Sequence, residues 1–173
     1  MRYAFLTLAA LLSLSLAPAW GKYARPDLEK VPVERLIANL SKQVEANPKD
    51  AVARLNLARV HGMAYAVKSD SLDALKSAKE QAAWFGYNPN HVPFHAQPTQ
   101  DEAKLKAAKV HLDAAIKRFE ETIALDPKNL TARLGLAWCL EQAGKKPEAI
   151  KAYREVIEAG WASEKDLKTA GLG

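Results

Sequence analysis

The feature that most constrains this chain is an internal repeat, in which one twelve-residue stretch recurs 79 positions later. Residues 47–58 read NPKDAVARLNLA and residues 126–137 read DPKNLTARLGLA, so the proline turn, the capping Asp or Asn and the apolar positions stay in register. Each copy ends one amphipathic segment and begins another, which predicts two helices joined by a capped turn. Good helix formers are abundant and β-branched residues are scattered. We therefore predict an all-α fold of repeated helical hairpins.

The C-terminal copy resembles the tetratricopeptide repeat, whose consensus runs W-x2-L-G-x2-Y, then A-x3-F, then P. Leu136 and Ala137 fill the Leu and Gly positions, and Leu140 stands at the Tyr position. Ala149-x3-Tyr153 supplies the A-x3-F element. The resemblance implies a stack of helical hairpins that binds other polypeptides. Within this copy the Trp position holds an arginine and the closing Pro position holds a tryptophan.

The first copy is interrupted between its two helices. His61 fills its Tyr position, but the A-x3-F element, Ala115-x3-Phe119, begins 54 positions later. About 45 residues are therefore inserted relative to the consensus. Upstream, Leu36-x3-Leu40 keeps the spacing of a second helix alone and indicates a half-repeat. We predict one domain over 20–173, with a half-repeat over 33–48, a repeat over 51–127 interrupted at about 68–99, and a repeat over 130–163.

The insertion is predicted to hold a helix and a turn-rich loop. The helix runs from about Ser71 to Phe85, and its apolar positions recur at helical spacing. The stretch 87–98 contains three prolines and is therefore not regular helix. Thr99–Glu102 reads as a capping box that starts a long helix of about 26 residues, or near 40 Å. We expect its extra length to pack against the inserted helix.

The N-terminus has the pattern of a secretory signal peptide. Arg2 supplies a basic start, residues 4–16 are apolar apart from small hydroxyl residues, and Ala17-Pro18-Ala19 matches an A-x-A cleavage signal. The alternative is a retained anchor, but the apolar stretch is shorter than the roughly 20 residues that span a bilayer. We predict cleavage of residues 1–19, a mature chain without a membrane span, and a periplasmic or secreted location.

Composition excludes several classes of protein. The single cysteine, Cys139, cannot form an internal disulfide, and its apolar neighbours predict a buried, unreactive thiol. The formal net charge of +5 is mild, and basic residues alternate with acidic ones, so nucleic acid is not an expected partner. None of the eight glycines belongs to a phosphate-binding loop, and nucleophile-elbow and haem-attachment motifs are absent. We predict a protein without catalytic residues or cofactor.

One pattern supports an alternative function. His91-x3-His95 is a histidine pair close in sequence, which favours a small-ligand or metal-binding exported carrier. Two imidazoles at this spacing meet on a helix, and Pro93 between them opposes a helix. Ordinary loop histidines are the competing interpretation, and we do not assign a metal here.

The resemblance implies a ligand along the concave surface that first helices of successive repeats form. The positions on that surface are Val52, Leu55, Asn56, Arg59, Thr131, Leu134, Trp138, Glu141 and Gln142. Leu55 and Leu134 stand where a clamp for a terminal carboxylate needs polar groups, which disfavours chaperone tails as the ligand. For Trp138 two interpretations stay open: a core residue or an exposed binding aromatic.

The insertion is also rich in aromatic residues. Trp84, Phe85, Tyr87 and Phe94 lie among turn formers, and large restrained aromatics make effective recognition anchors. They equally suit a loop that is packed onto the long helix. The predicted function is a protein-binding adaptor or scaffold of the bacterial envelope or exterior. Since such stacks usually need three repeats, we expect the inserted helix or self-association to cover their ends.

Overall fold

A computed structural model of the chain describes residues 28–75 and 95–164. Within these ranges the chain forms two strands and five helices: β1 (Leu28–Pro32), α1 (Val33–Ala46), α2 (Ala51–Val67), β2 (Ser71–Leu75), α3 (Glu102–Leu125), α4 (Leu130–Gln142) and α5 (Lys146–Glu164). Several predictions fall outside the described residues: the signal peptide, the aromatic residues Trp84, Phe85, Tyr87 and Phe94, and His91.

The helices stack in sequence order. Helix α1 packs against α2, α2 against α3, α3 against α4, and α4 against α5, and the α2–α3 contact is the most extensive. Connections of a few residues join α1 to α2, α3 to α4 and α4 to α5, which makes each of these pairs an antiparallel neighbour. The prediction of a mostly helical stack of hairpins is confirmed. None of the described helices is long and apolar enough to cross a bilayer.

The two copies of the repeated sequence begin their first helices in the same way. At the start of α2, the Asp50 carboxylate accepts a hydrogen bond from the backbone N–H of Ala53 at 2.9 Å. At the start of α4, the Asn129 amide oxygen accepts one from the backbone N–H of Ala132, also at 2.9 Å. Each cap satisfies a backbone donor that the first turn of a helix leaves unpaired.

An arginine occupies the consensus Trp position in both copies. Arg54 Nε donates to the carbonyl oxygen of Pro48 at 3.0 Å, and its Nη1 lies 3.1 Å from Glu121 on α3. Arg133 repeats the arrangement: its Nε donates to the carbonyl of the proline that precedes α4 at 2.8 Å, and its Nη1 lies 3.8 Å from Glu155 on α5. Each guanidinium therefore joins a turn to the second helix of its hairpin, where the consensus uses an indole.

Phe119 of α3 is the large side chain at the centre of the core. It is 2% exposed and belongs to a cluster with residues of α2 and α4. Two glycines face its ring: a Cβ built on Gly62 of α2 would lie 4.0 Å from Phe119 Cε2, and one built on Gly135 of α4 would lie inside the van der Waals contact distance of Phe119 Cζ. Gly135 thus lets the backbone of α4 approach the ring more closely than any side chain would allow.

The single thiol lies in the same cluster. Cys139 is 0% exposed, and its burial raises the pKa of the thiol to about 12. The thiolate is the reactive form, so this residue is protected both from reagents and from ionisation. The prediction of a buried, unreactive cysteine is confirmed.

The start of the insertion differs from the prediction. Ser71–Leu75 is a strand, whereas the sequence pattern predicted a helix from Ser71, so that prediction is wrong over these five residues. The strand pairs antiparallel with β1, and Val31 lies opposite Leu72. Both side chains are buried, at 7% and 5% exposure. The partner strand β1 lies far from β2 in the sequence, so the local periodicity of residues 71–75 does not predict this pairing.

The N-cap of α3 also differs from the predicted capping box, in which Thr99 caps the helix. The N-cap residue is Asp101, whose carboxylate accepts hydrogen bonds from the backbone N–H groups of Ala103 and Lys104 at 3.0 and 3.2 Å. Thr99 instead accepts one from the backbone N–H of Asp101 at 3.2 Å. The carboxylate lies two residues nearer the helix and outcompetes the hydroxyl. The resulting helix has 24 residues, about 36 Å.

The close approach of Gly135 to Phe119 generates a stability prediction. Gly135→Ala places a methyl group inside the ring's van der Waals surface, so the ring has to move in a close-packed core. We expect a loss of about 1 to 3 kcal/mol in the free energy of unfolding, measured by urea denaturation. Gly160→Ala is the matched control: no atom lies within 4 Å of its Cβ position in α5. That variant should gain about 0.5 to 1 kcal/mol from helix propensity.

Candidate binding surface on the first helices

The candidate surface lies on α2 and α4, the first helices of the two repeated hairpins. Leu55 of α2 and Leu134 of α4 occupy equivalent positions, and both are half-buried and pack against the core cluster. Val52, one turn before Leu55, is 65% exposed. Thr131, one turn before Leu134, is half-buried. The two helices therefore present equivalent rows, in which the half-buried leucine follows an exposed residue on α2 and a half-buried one on α4.

Arg59 and Asn56 add a polar group to the α2 row. Arg59 Nη1 donates to the Asn56 amide oxygen at 3.3 Å, and both residues are half-buried. Burial lowers the pKa of the Arg59 guanidinium from its ordinary value of 12.5. The group still carries its charge at neutral pH, because guanidinium groups stay protonated in proteins. Both residues were predicted from their position in the repeat.

Trp138 lies in the core, and its assignment to an exposed binding surface is corrected. The side chain is 5% exposed, and its ring meets Tyr65 of α2 edge to face, with centroids 5.8 Å apart and an interplanar angle of 68°. The indole Nε1 is buried and has no hydrogen-bond acceptor among the described residues. Trp138 is buried because the face of α4 that carries it packs toward α2. The sequence of α4 alone does not distinguish this face from the accessible one.

A polar cluster that sequence reasoning missed stands at the C-terminal ends of α2 and α4. Tyr65 Oη donates to Gln142 Oε1 at 3.5 Å, and Lys68 Nζ lies 5.1 Å from the centroid of the Tyr65 ring. Burial raises the pKa of Tyr65, so its hydroxyl remains a donor at neutral pH. Gln142 was predicted from the repeat, but Tyr65 and Lys68 were not. Tyr65 contacts Gln142 on a different helix, and Lys68 follows the end of α2, so the repeat pattern of α2 alone does not predict either residue.

Glu141 is exposed, as a binding residue should be, and is also held in place. Its Oε2 accepts a hydrogen bond from Tyr153 Oη of α5 at 2.8 Å. Burial and this hydrogen bond raise the pKa of Tyr153. The carboxylate therefore has a defined orientation at the C-terminal end of α4. It offers a partner one fixed acceptor beside the row formed by Thr131 and Leu134.

The described residues carry apolar contact area and fixed polar groups along α2 and α4. Such a surface can bind a peptide or helix through side-chain packing and a few hydrogen bonds. The insertion aromatics that were predicted to extend it, Trp84, Phe85, Tyr87 and Phe94, lie outside the described residues. Their contribution stays a prediction.

The histidines of the described part do not form the predicted pair. His95 is exposed, and its suggested partner His91 lies outside the described residues. Within residues 28–75 and 95–164, no group of three or more His, Cys, Asp or Glu residues could hold a metal ion. Metal binding through the insertion stays a prediction.

A different histidine pair joins α2 to α3. His61 Nδ1 lies 3.1 Å from His111 Nδ1, and both rings are half-buried. Burial, then the neighbouring His111 and Arg118, lower the pKa of His61 to about 4. His61 is therefore neutral near pH 7, and a neutral imidazole can share one hydrogen bond with the neighbouring ring. The two histidines lie far apart in the sequence, and only the packing of α2 against α3 brings them together.

This pair predicts a pH dependence of stability. In the unfolded chain His61 takes up a proton near pH 6.5, whereas in the folded protein it does so only near pH 4. The stability that depends on neutral His61 is complete above pH 6.5 and is lost as the pH falls toward 4. After discounting for partial solvent exposure, we expect about 1 to 2 kcal/mol. The check is urea denaturation at several pH values.

Variants isolate the histidine from the carboxylates that also titrate in acid. His61→Gln should flatten the dependence between pH 6.5 and 4, whereas His95→Gln, a change at an exposed histidine, should leave it as in the wild type. Equal slopes for the His61→Gln variant and the wild type would contradict the assignment.

Comparison with known protein families matches residues 101–164 to a model of the tetratricopeptide repeat. The match covers α3, α4 and α5, which contain both A-x3-F elements and the second copy of the repeated sequence. Searches of curated proteins and of solved structures found no significant match to the chain. Residues 101–164 therefore resemble the tetratricopeptide-repeat family, both by this match and by their packed helical hairpins.

Proposed function

We propose that this protein is a non-catalytic adaptor or scaffold that binds another protein or peptide along α2 and α4. Tetratricopeptide repeats are in general interaction modules without catalytic activity. The observation that carries the proposal is the pair of equivalent rows on the two first helices. Val52 is 65% exposed, and Leu55 and Leu134 retain accessible area beside it. A partner that lies across both helices covers apolar surface that the fold itself leaves open.

The two ends of the insertion support a role for it in recognition. After α2 the chain enters β2, which is paired with β1, and Val33 N donates to the Asp70 carbonyl at 2.8 Å. Before α3, Gln97 N donates to the Ala66 carbonyl at 2.7 Å. Both described ends are therefore anchored near the C-terminal end of α2, close to Tyr65. We propose that the inserted aromatic residues extend the binding surface from this point.

We also propose that the protein works in the bacterial envelope or outside the cell. The support is the N-terminal pattern of a basic start, an apolar stretch and Ala17-Pro18-Ala19. A single buried cysteine is compatible with an oxidising compartment, since it has no second thiol to pair with inside the chain.

Site-specific photocrosslinking tests the binding surface. A photoreactive phenylalanine analogue at Val52 should crosslink a distinct polypeptide in the native host, because this position is 65% exposed on the proposed surface. The matched control is the same analogue at Val110, which is 64% exposed on α3 and lies outside the proposed surface. The Val52 adduct should appear on denaturing gels as a band above the monomer, and mass spectrometry identifies the partner.

A second change tests whether the row itself binds. Val52→Asp places a charge on the apolar row, and we expect at least a tenfold loss of affinity for the identified partner. Val110→Asp should leave affinity and stability unchanged. Equal crosslinking at Val52 and Val110, or unchanged affinity of the Val52→Asp variant, would show that the partner does not use this surface.

Export has its own test. Expression of the full chain in its host, followed by fractionation and intact-mass measurement, should find the protein in the periplasm or medium with Trp20 as its first residue. Replacing the small residues of the cleavage signal, by Ala17→Leu with Ala19→Leu, should leave a longer, uncleaved species. A chain that keeps residues 1–19 and stays in the cytoplasm would refute export.

A further inference from the structure

A stripe of exposed apolar residues runs along α5. We call it the outer stripe, and it consists of Ile150, Ile157 and Trp161, which are 53%, 56% and 65% exposed. Spacings of seven and four residues place these side chains on one face of the helix. Ala149 of the same helix is 2% exposed and faces the rest of the stack. Helix α5 is therefore apolar on two sides, and the described fold covers only one of them.

The internal repeat allows the outer stripe to be compared with the equivalent residues of α3. The A-x3-F elements align α5 with α3 at an offset of 34 residues, which equates Ile150 with Ile116 and Ile157 with Ile123. On α3 both isoleucines are half-buried and pack against the core cluster, to which the next helix, α4, contributes. On α5 no described helix follows. The outer stripe is thus the face on which this architecture places another helix.

We propose that a second copy of this chain covers the outer stripe, with the two α5 helices packed antiparallel across a twofold axis. Most soluble oligomers of one chain use such an axis, and it requires a surface that is complementary to itself. The arrangement goes beyond the binding of another polypeptide on α2 and α4, since it uses the exposed face of a different helix, α5.

The charges beside the stripe are complementary to themselves in this orientation. Arg154 and Glu158 are exposed on one flank of the stripe, and neither forms an ion pair within the described residues. A twofold axis at the level of residue 156 brings each Arg154 to the height of Glu158 in the second copy, twice per dimer. A parallel pair would instead place like charges side by side, which is unfavourable.

The same axis pairs the apolar residues. Ile150 comes within one residue of the height of Trp161 in the second copy, and the two Ile157 side chains meet near the centre. Two tryptophans then cover two isoleucines. This arrangement buries a large apolar area with little loss of side-chain conformational entropy. A single pair of helices lies at the small end of specific interfaces, so we expect a dissociation constant in the micromolar range, about 10 to 100 μM.

Sedimentation equilibrium of the full chain over about 1 to 500 μM tests the proposal. The wild type should shift from monomer to dimer across this range. Ile157→Asp should weaken dimerisation at least tenfold, and its exposed position means that folding should survive, which circular dichroism checks. Val110→Asp, a matched change at an exposed valine of α3, should dimerise as the wild type does.

A charge exchange identifies the orientation. Arg154→Glu alone sets two acidic residues against each other across the axis, and Glu158→Arg alone sets two arginines, so each variant should associate at least tenfold more weakly than the wild type. An equimolar mixture of the two variants restores opposite charges at both positions. The mixture should form a heterodimer as tightly as the wild type forms a homodimer.

A wild type that is monomeric up to 500 μM would overturn the proposal and assign the stripe to another segment or a different partner. A dimer that persists in the Ile157→Asp variant would place the contact elsewhere and overturn it equally. Variants that associate weakly alone and do not recover when mixed would refute the antiparallel arrangement.

Discussion

The packing of Phe119 between two glycines is the contact on which the rest of the structure depends. Its ring is buried between α2, where Gly62 faces it, and α4, where Gly135 allows the backbone to come within a distance that no Cβ permits. This approach sets the separation of the two first helices, since interaxial distance follows the side chains at the crossing. The spacing between the rows of α2 and α4, and hence the width of the proposed binding surface, is a consequence.

Polar groups then determine how each hairpin is oriented around that core. The repeated arginine connects the proline turn to the second helix in both copies, through Glu121 and Glu155. Surfaces on α2 and α4 remain partly accessible, and the outer face of α5 remains exposed. One architecture thus yields two separate surfaces, and they suit different partners.

Sequence reasoning succeeded where a local rule was sufficient. Helix bounds near the two proline turns follow from capping residues such as Asp50 and Asn129, whose hydrogen bonds lie within three residues of themselves. It failed where a residue's state depends on a distant partner. Ser71–Leu75 is a strand because it pairs with β1. Trp138 is buried because Tyr65 covers it, and on helical periodicity alone it fitted a binding surface and a core equally well.

The sequence by itself determined the fold class, the internal repeat and the family model that residues 101–164 match, because the spacing of small and large residues along a helix is a local property. It also indicated which helices carry the candidate surface. Only the tertiary structure decided which of those side chains are accessible, that His61 meets His111, and that the isoleucines of α5 lack the cover their equivalents on α3 receive. Accessibility and charge are set by what lies across a helix interface, and that neighbour is remote along the chain.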